Sequence, residues 1–361
     1  MSLTLTVDGD RWRHHLRAVA AAQPGLVPVA KGNGYGFGLG RLARKAGWLG
    51  CDTLAVGTYA ELPEVASRFP GDLLVLTPFR PFGPALEVPG ALRKRVVHTV
   101  SRAEDLSLLR QRQPEARFVL ELVTSMLRHG LDANALRVVA ADLGPHGSRH
   151  LEGVALHLPI ASGSHLAEVH RLVDEVVGAG LGPGSPDNQR GRRIALWVSH
   201  LTDEELDKLR TTHADFDIRP RIGTRLWLGD RSALRVSATV LDVHAVERGD
   251  VFGYRGRSAP KSGHVVVVSG GTAHGIGLEA PTGDSSMKAR AATLARGGLD
   301  AVGFVRSPFT IDGKQRLFAE PPHMQASMLF LPSGAHVPAV GDEVDVRVRF
   351  TATMFDRVVI V

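Results

Sequence analysis

From about residue 27 to residue 229 the chain repeats one unit, a short β-branched run followed by an amphipathic stretch. The runs lie at 26–30 (LVPVA), 53–57 (TLAVG), 73–77 (LLVLT), 95–100 (RVVHTV), 117–123 (RFVLELV), 151–158 (LEGVALHL) and 193–199 (RIALWVS). Between them, stretches such as 165–177 (HLAEVHRLVDEVV) place apolar residues at i, i+3, i+4 and i+7, the period of a helix with one buried face. The segment 202–209 (TDEELDKL) opens on a Thr N-cap with acidic residues in its first turn. Strands that alternate with helices pair in parallel. Seven runs plus the segment 220–229 (RIGTRLWLG preceded by Pro220) make eight units in about two hundred residues. That number predicts a TIM-type (β/α)8 barrel spanning 8–229, with any chemistry at the C-terminal strand ends. An open doubly wound sheet is the alternative. The turn GNGYGFG (32–38) follows a strand, but it does not match G-x-G-x-x-G and lacks an acidic partner at the expected distance.

Beyond residue 229 the rhythm changes. Segments such as 263–271 (GHVVVVSGG) and 342–361 alternate with turns, so residues 230–361 read as a β-rich C-terminal domain, which the N-terminal strand 2–7 is placed to join. One helical insert is expected at 285–298, and the Gly/Pro-rich stretch 178–193 reads as a surface loop.

Composition narrows the function. The net charge of +6 invites a nucleic-acid reading, but the arginines are scattered and only 6% of residues are aromatic, so no nucleic-acid partner is expected. A lone cysteine, Cys51, rules out an internal disulfide framework and fits a reducing compartment. The start carries no apolar h-region and no run is long enough to span a bilayer, so the expectation is a cytoplasmic protein with no membrane partner. No spacing suggests a metal site.

Lys31 closes the first apolar run. An unpaired ammonium in a core is costly, and a desolvated lysine loses its proton more readily and becomes nucleophilic. Lys31 is therefore a Schiff-base candidate; the alternative is a loop lysine that reaches solvent.

The stretch AKGNGYGFG (30–38) resembles the K-A-N-A-Y-G-H-G signature of the alanine racemase family, pyridoxal-phosphate enzymes built from a β/α barrel followed by a β-domain. The resemblance continues in order along the chain. It implies that Lys31 holds the pyridoxal 5'-phosphate cofactor and later moves a proton on one substrate face, and that Tyr35 binds its phosphate. LVTSMLRHG (122–130) resembles V-D-T-G-M-x-R-x-G, which assigns Arg128 to the cofactor's phenolic oxygen and the substrate carboxylate. GVALHLP (153–159) puts His157 where the family bonds a histidine to the cofactor-facing arginine, and WVSH (197–200) makes Ser199 a phosphate ligand. RPRIGTRLWLG (219–229) resembles V-R-x-G-I-x-L-Y-G, so Arg221 would face the pyridine nitrogen while Gly223 and Thr224 offer N–H groups to the phosphate. GDVFGYRGRSAP (249–260) resembles V-G-Y-G-x-T and makes Tyr254 the second catalytic base. PPHMQASM (321–328) aligns Met324 with a methionine whose N–H lines the substrate pocket. Arg128, Arg221 and His157 would add positive charge that favours the phenolate.

By the same resemblance the chain is a racemase of a small amino-acid substrate, alanine first, feeding D-alanine to cell-wall synthesis as a homodimer with shared active sites. Alternatives are a racemase of another or a broad range of amino acids, or a non-catalytic pyridoxal-phosphate-binding protein. The sequence also departs from the pattern. Glu121 stands where the family often carries a carbamylated lysine, and is expected to orient Arg128 directly. C-M-D-Q becomes His323–Met324–Gln325–Ala326, and the family's C-terminal tyrosine has no evident counterpart.

Overall fold

The computed structural model describes residues 2–160, 163–182, 193–278 and 305–361. The expected insert at 285–298 and most of the loop at 178–193 lie outside them. The chain divides into two compact units, Arg13–Gly229 and a second made of Met1–Trp12 with Asp230–Val361. After a first strand β1 (Leu3–Val7), the chain enters a helix α1 (Gly9–Ala22).

The first unit is a closed eight-stranded barrel of β2 (Val27–Ala30), β3 (Thr53–Val56), β4 (Asp72–Val75), β5 (Val96–Val100), β6 (Arg117–Leu122), β7 (Leu151–His157), β8 (Ala195–Ser199) and β9 (Asp217–Ile222). Every neighbouring pair is parallel, and β2 pairs with β9 to close the ring, so the barrel reading holds over the doubly wound one. The helices between strands are α2 (Leu39–Trp48), α3 (Leu62–Ala66), α4 (Ala103–Arg112), α5 (Ala133–Gly147), α6 (Leu166–Gly178) and α7 (Asp203–Thr212). α6 buries Val169, Leu172, Val173 and Val176, the 3.6-residue stripe that the sequence shows. α7 starts on a reciprocal cap: Glu205 N–H donates to Thr202 Oγ1 at 3.2 Å and Thr202 N–H to Glu205 Oε2 at 2.9 Å.

One expectation needs correction, and one helix lies outside what was expected. The segment 220–229 is not one strand: β9 ends at Ile222, and after Gly223 a short helix α8 (Thr224–Leu228) begins. The break frees the chain to turn over the barrel mouth. Helix α1 lies ahead of the repeating rhythm and was not anticipated.

The barrel interior is packed by Val27, Val29, Ala55, Leu74, Val97, Val119, Ala155, Ala195 and Trp197. Successive side chains in a strand point to opposite faces. Two residues further along, the same inward face therefore carries Lys31, Glu121, His157, Ser199 and, on β9, Arg221. Polar side chains are thus stacked on the apolar layer at the C-terminal end. At the other end a cavity of ≈ 810 Å³ is lined by inter-strand ion pairs, Arg117 to Asp72 at 2.7 Å and to Glu152 at 2.8 Å, and Arg219 to Asp52 at 2.5 Å. In barrels of this kind the N-terminal face carries stability and the C-terminal face carries chemistry.

The second unit is antiparallel apart from one pair. Its eight-stranded sheet runs in the order β13 (Gly263–Ser269), β16 (Ala326–Pro332), β15 (Lys314–Phe318), β14 (Arg306–Ile311), β17 (Glu343–Val346), β10 (Leu234–Val246), β1 and β18 (Arg357–Ile360). An additional β10–β13 pairing closes six of these strands into a ring. β1 joins this unit, antiparallel to β10 and parallel to β18. A two-stranded hairpin, β11 (Val251–Phe252) with β12 (Arg257–Ser258), carries Tyr254 in its turn. No helix of the described residues is long and apolar enough to cross a membrane.

Candidate active site

Lys31 follows β2 directly, and a turn of four glycines with positive φ follows it. One position shows why glycine is needed. At Gly34 φ is +62°, and an added Cβ would lie 2.7 Å from the Leu39 amide nitrogen. The tight turn also forces Tyr35 itself to φ 55°, a sterically unfavourable conformation for a side-chain-bearing residue, and buries it to 5% exposure.

The Tyr35 hydroxyl meets the Thr224 side chain, and an added Cβ on Gly223 would land 2.1 Å from that hydroxyl. Burial pushes the Tyr35 phenol up to about 12, so it remains a hydroxyl donor at neutral pH. Gly223→Ala is expected to lower stability by about 1–3 kcal/mol through overpacking. Adding Tyr35→Phe should recover part of that loss, as chemical unfolding of the single and double variants would reveal. Additive losses would mean that the two residues do not collide.

Lys31 has a lowered pKa. Desolvation is the largest cause, followed by the guanidiniums of Arg128 and Arg221, with Glu61 opposing. Glu61 is fixed nearby, accepting from Gly32 N–H at 2.8 Å and Gly57 N–H at 2.6 Å. The free amine is therefore available at lower pH than for an ordinary lysine at 10.5. Competitive acetylation of Lys31 should titrate with a midpoint below 10.5. Arg128→Gln should raise that midpoint and Glu61→Gln should lower it further. A midpoint at 10.5 that neither change moves would remove the electrostatic basis for a reactive lysine.

Arg221 is buried at 5% exposure. Its Nη2 donates to Leu156 O at 2.9 Å, and its Nε has no hydrogen-bond partner among the described residues. Burial pulls its pKa down to about 10 with Glu121 pulling the other way, so it stays charged at neutral pH. Glu121, 2% exposed, likewise has Oε2 without a partner. Burial raises its pKa, and Arg221, Arg128 and Arg80 counter that rise in this order. No ion pair within 4 Å joins Glu121 to Arg128 among the described residues, so direct clamping of Arg128 is not what the structure has. The carboxylate acts on both arginines from a distance.

His157 also differs from expectation. Its Nδ1 lies 3.1 Å from Ser199 Oγ, and no hydrogen bond joins it to Arg221 among the described residues. Burial, then Arg221, Arg128, His200 and Lys31, depress its pKa to about 3. His157 is therefore neutral near pH 7 and adds no positive charge, because burial first, and then the two guanidiniums, disfavour its protonated form. Arg128 sits in the loop after β6. Thr124 Oγ1 ties the loop to His157 O at 2.7 Å, and Ser125 ties it to Glu168. His200 and Glu61 were not singled out from sequence. His200 takes φ 63° directly after β8, donates from Nδ1 to Leu158 O (2.6 Å), and lies edge-on to His157. Neither residue carries a motif; a capping pattern, Thr58 with Glu61, is the one signal that could have marked Glu61.

The barrel thus brings together Lys31, Tyr35, Arg128, His157, Ser199, Arg221, Gly223 and Thr224. Tyr254 and Met324 belong to the other unit, where they share a cleft of ≈ 790 Å³ with His323 and Thr272. They are 88% and 73% exposed, respectively. The barrel mouth can bind an anion with Arg128 and Arg221, and it offers a nucleophilic amine beside them. An Arg221 Nε–H with no partner among the described residues, next to the charges of Arg128 and Lys31, fits a planar, anionic, nitrogen-containing group.

Comparison with known proteins points the same way. Residues 7–179 match the alanine racemase N-terminal domain family. The chain is 27% identical over 274 residues to an alanine racemase of Nitratidesulfovibrio vulgaris, covering 72% of each protein. It is also 27% identical over 288 residues to one from Dinoroseobacter shibae, covering 76% of this chain and 75% of that relative. Among solved structures, it shares the fold of Bartonella henselae alanine racemase with covalently bound pyridoxal phosphate (TM-score 0.67, 18% identity, 96% of this chain and 90% of that one). It likewise shares the fold of the enzyme from D-cycloserine-producing Streptomyces lavendulae (TM-score 0.66, 23% identity, 96% and 87% covered).

Proposed function

We propose that this protein, whose residues 7–179 match the alanine racemase N-terminal domain family, is a pyridoxal-phosphate-dependent amino-acid racemase with alanine as its substrate. The observation that carries the reading is Lys31, a lysine of lowered pKa at a barrel strand end, set beside Arg128 and Arg221.

When bound, the cofactor supplies an electron sink for the charge left by α-proton removal. Lys31 would hold it, while Tyr35, Ser199 and the N–H groups of Gly223 and Thr224 would bind its phosphate. Arg221, whose Nε–H lacks a partner among the described residues, would face the ring nitrogen as a donor that does not give up its proton near neutrality. A charged neighbour that keeps its proton would favour return of the substrate's proton to the α-carbon. Glu121 counters the burial that lowers the pKa of Arg221. Arg128 binds the substrate carboxylate, and His157 stays a neutral hydrogen-bonding partner of Ser199. Lys31 and Tyr254 move protons on opposite faces of the substrate, with the Met324 N–H lining the pocket. The high exposure of Tyr254 and Met324 supports a homodimer in which each copy lends them to its partner. A cytoplasmic racemase of this kind would supply D-alanine for the cell wall.

Two measurements test the proposal together. Borohydride reduction of the cofactor-loaded protein should leave the cofactor's mass on the Lys31 peptide, and chiral chromatography should show L-alanine converted to racemate. Cofactor on Lys31 with no racemisation of any amino acid would indicate a cofactor-binding protein. Racemisation of another amino acid alone would correct the substrate.

A further inference from the structure

We propose that His323, braced by the buried carboxylate of Glu320, is a positioning residue that holds the Tyr254 phenol ring in its working orientation. This inference rests on the proposed role of Tyr254 as a base. Glu320 is 2% exposed, yet it serves an exposed hairpin tip. Its Oε1 accepts from Tyr254 N–H at 3.2 Å and lies 2.6 Å from His323 Nε2. The His323 and Tyr254 rings are 4.5 Å apart at 45°. One carboxylate therefore fixes both the backbone under Tyr254 and the ring beside it.

The surroundings are shaped for this contact. Gly253 has φ +73°, and a Cβ there would fall 2.3 Å from the Glu320 carboxyl carbon, so the hairpin can lie over Glu320 only with glycine at that position. The segment carrying His323 is held by backbone bonds: His323 N–H to Ala326 O at 2.9 Å, Thr272 N–H to His323 O at 2.8 Å, Ala273 N–H to Met324 O at 2.9 Å and Gly270 N–H to Gln325 O at 2.9 Å. Arg257 also donates to Ala319 O at 3.2 Å, next to Glu320. A buried carboxylate is costly unless its hydrogen bonds are made, and here they are spent on a tip that contributes little to the core. A tyrosine that is 88% exposed would otherwise rotate freely. A base must keep its oxygen within reach of the proton it moves, and loss of alignment costs rate more than binding.

The test uses the cofactor-loaded full chain, with His323→Ala, the conservative His323→Gln and Glu320→Gln. His323→Ala is expected to lower kcat 10–100-fold with KM changed less than threefold, and His323→Gln to recover part of the rate. The substrate α-deuterium isotope effect should rise for one enantiomer only, the one from which Tyr254 takes the proton. A second readout is independent of turnover. The chain has three tyrosines, and Tyr35 and Tyr59 are buried, so the resonance of Tyr254 in fluorotyrosine-labelled protein is identified by its loss in Tyr254→Phe. His323→Ala should shift and sharpen that resonance alone. An unmoved resonance, or isotope effects that change equally for both enantiomers, would overturn the inference while leaving the racemase reading standing. A wild-type protein that exchanges no α-proton would instead overturn the role of Tyr254 and this inference with it.

Discussion

Lys31→Ala is expected to abolish racemisation, with a loss of at least about 10⁴-fold, while leaving the barrel as stable as before. The loss would be large because the proposed function gives one residue two tasks, holding the cofactor and moving a proton on one face, and residues that act as a unit cannot be replaced piecemeal. The neutral effect on folding follows from its position. Lys31 reaches solvent at the barrel mouth even though its surroundings partly desolvate the amine, and its charge is opposed by Arg128 and Arg221, so removal leaves no closed cavity and relieves like-charge repulsion. Unfolding curves should superimpose within about 0.5 kcal/mol. Addition of a small primary amine should return a trace of activity to Lys31→Ala. Full activity without Lys31 would mean that the reactive amine lies elsewhere.

Tyr254→Phe is expected to lower racemisation by about 10²–10⁴-fold, the range for loss of a positioned acid–base group, with cofactor uptake unchanged. Only the phenolic oxygen is removed. The ring contact with His323 and the Tyr254 N–H bond to Glu320 both survive. The variant should still exchange the α-proton of one enantiomer with solvent, because on the two-base proposal Lys31 would remain to remove and return it on its own face. Exchange without inversion is the signature that separates loss of one base from general damage. Equal loss of exchange from both enantiomers would point to damage of the whole site.

Much of the barrel was readable because its physics is local. β-branched runs at regular spacing and helices with one apolar stripe are each visible in a few residues, as in β5 and α6. Helix α1 was hidden because Arg11, Arg13, His14, His15 and Arg17 crowd its polar face, leaving the buried Trp12 and Leu16 as a faint pattern. The β9–α8 boundary was missed because Leu226, Trp227 and Leu228 look like more strand, whereas Gly223 ends the strand to clear Tyr35. In the site, the inward alternation of β2, β6, β7, β8 and β9 explains why residues far apart in sequence share one mouth. What sequence could not convey was pairing. His157 joins Ser199 instead of Arg221, and Glu121 stays apart from Arg128, because both outcomes depend on angstrom-scale placement of side chains on neighbouring strands. The Glu320–His323–Tyr254 contact was equally invisible, since it closes across 66 residues.

The first measurement to make is α-proton exchange by proton NMR, with cofactor-loaded protein in heavy water and L- and D-alanine supplied separately. Loss of the α-proton signal from both enantiomers, with the opposite isomer appearing in each, is the predicted result for two bases at Lys31 and Tyr254. No exchange from either enantiomer, with cofactor bound at Lys31, would contradict it.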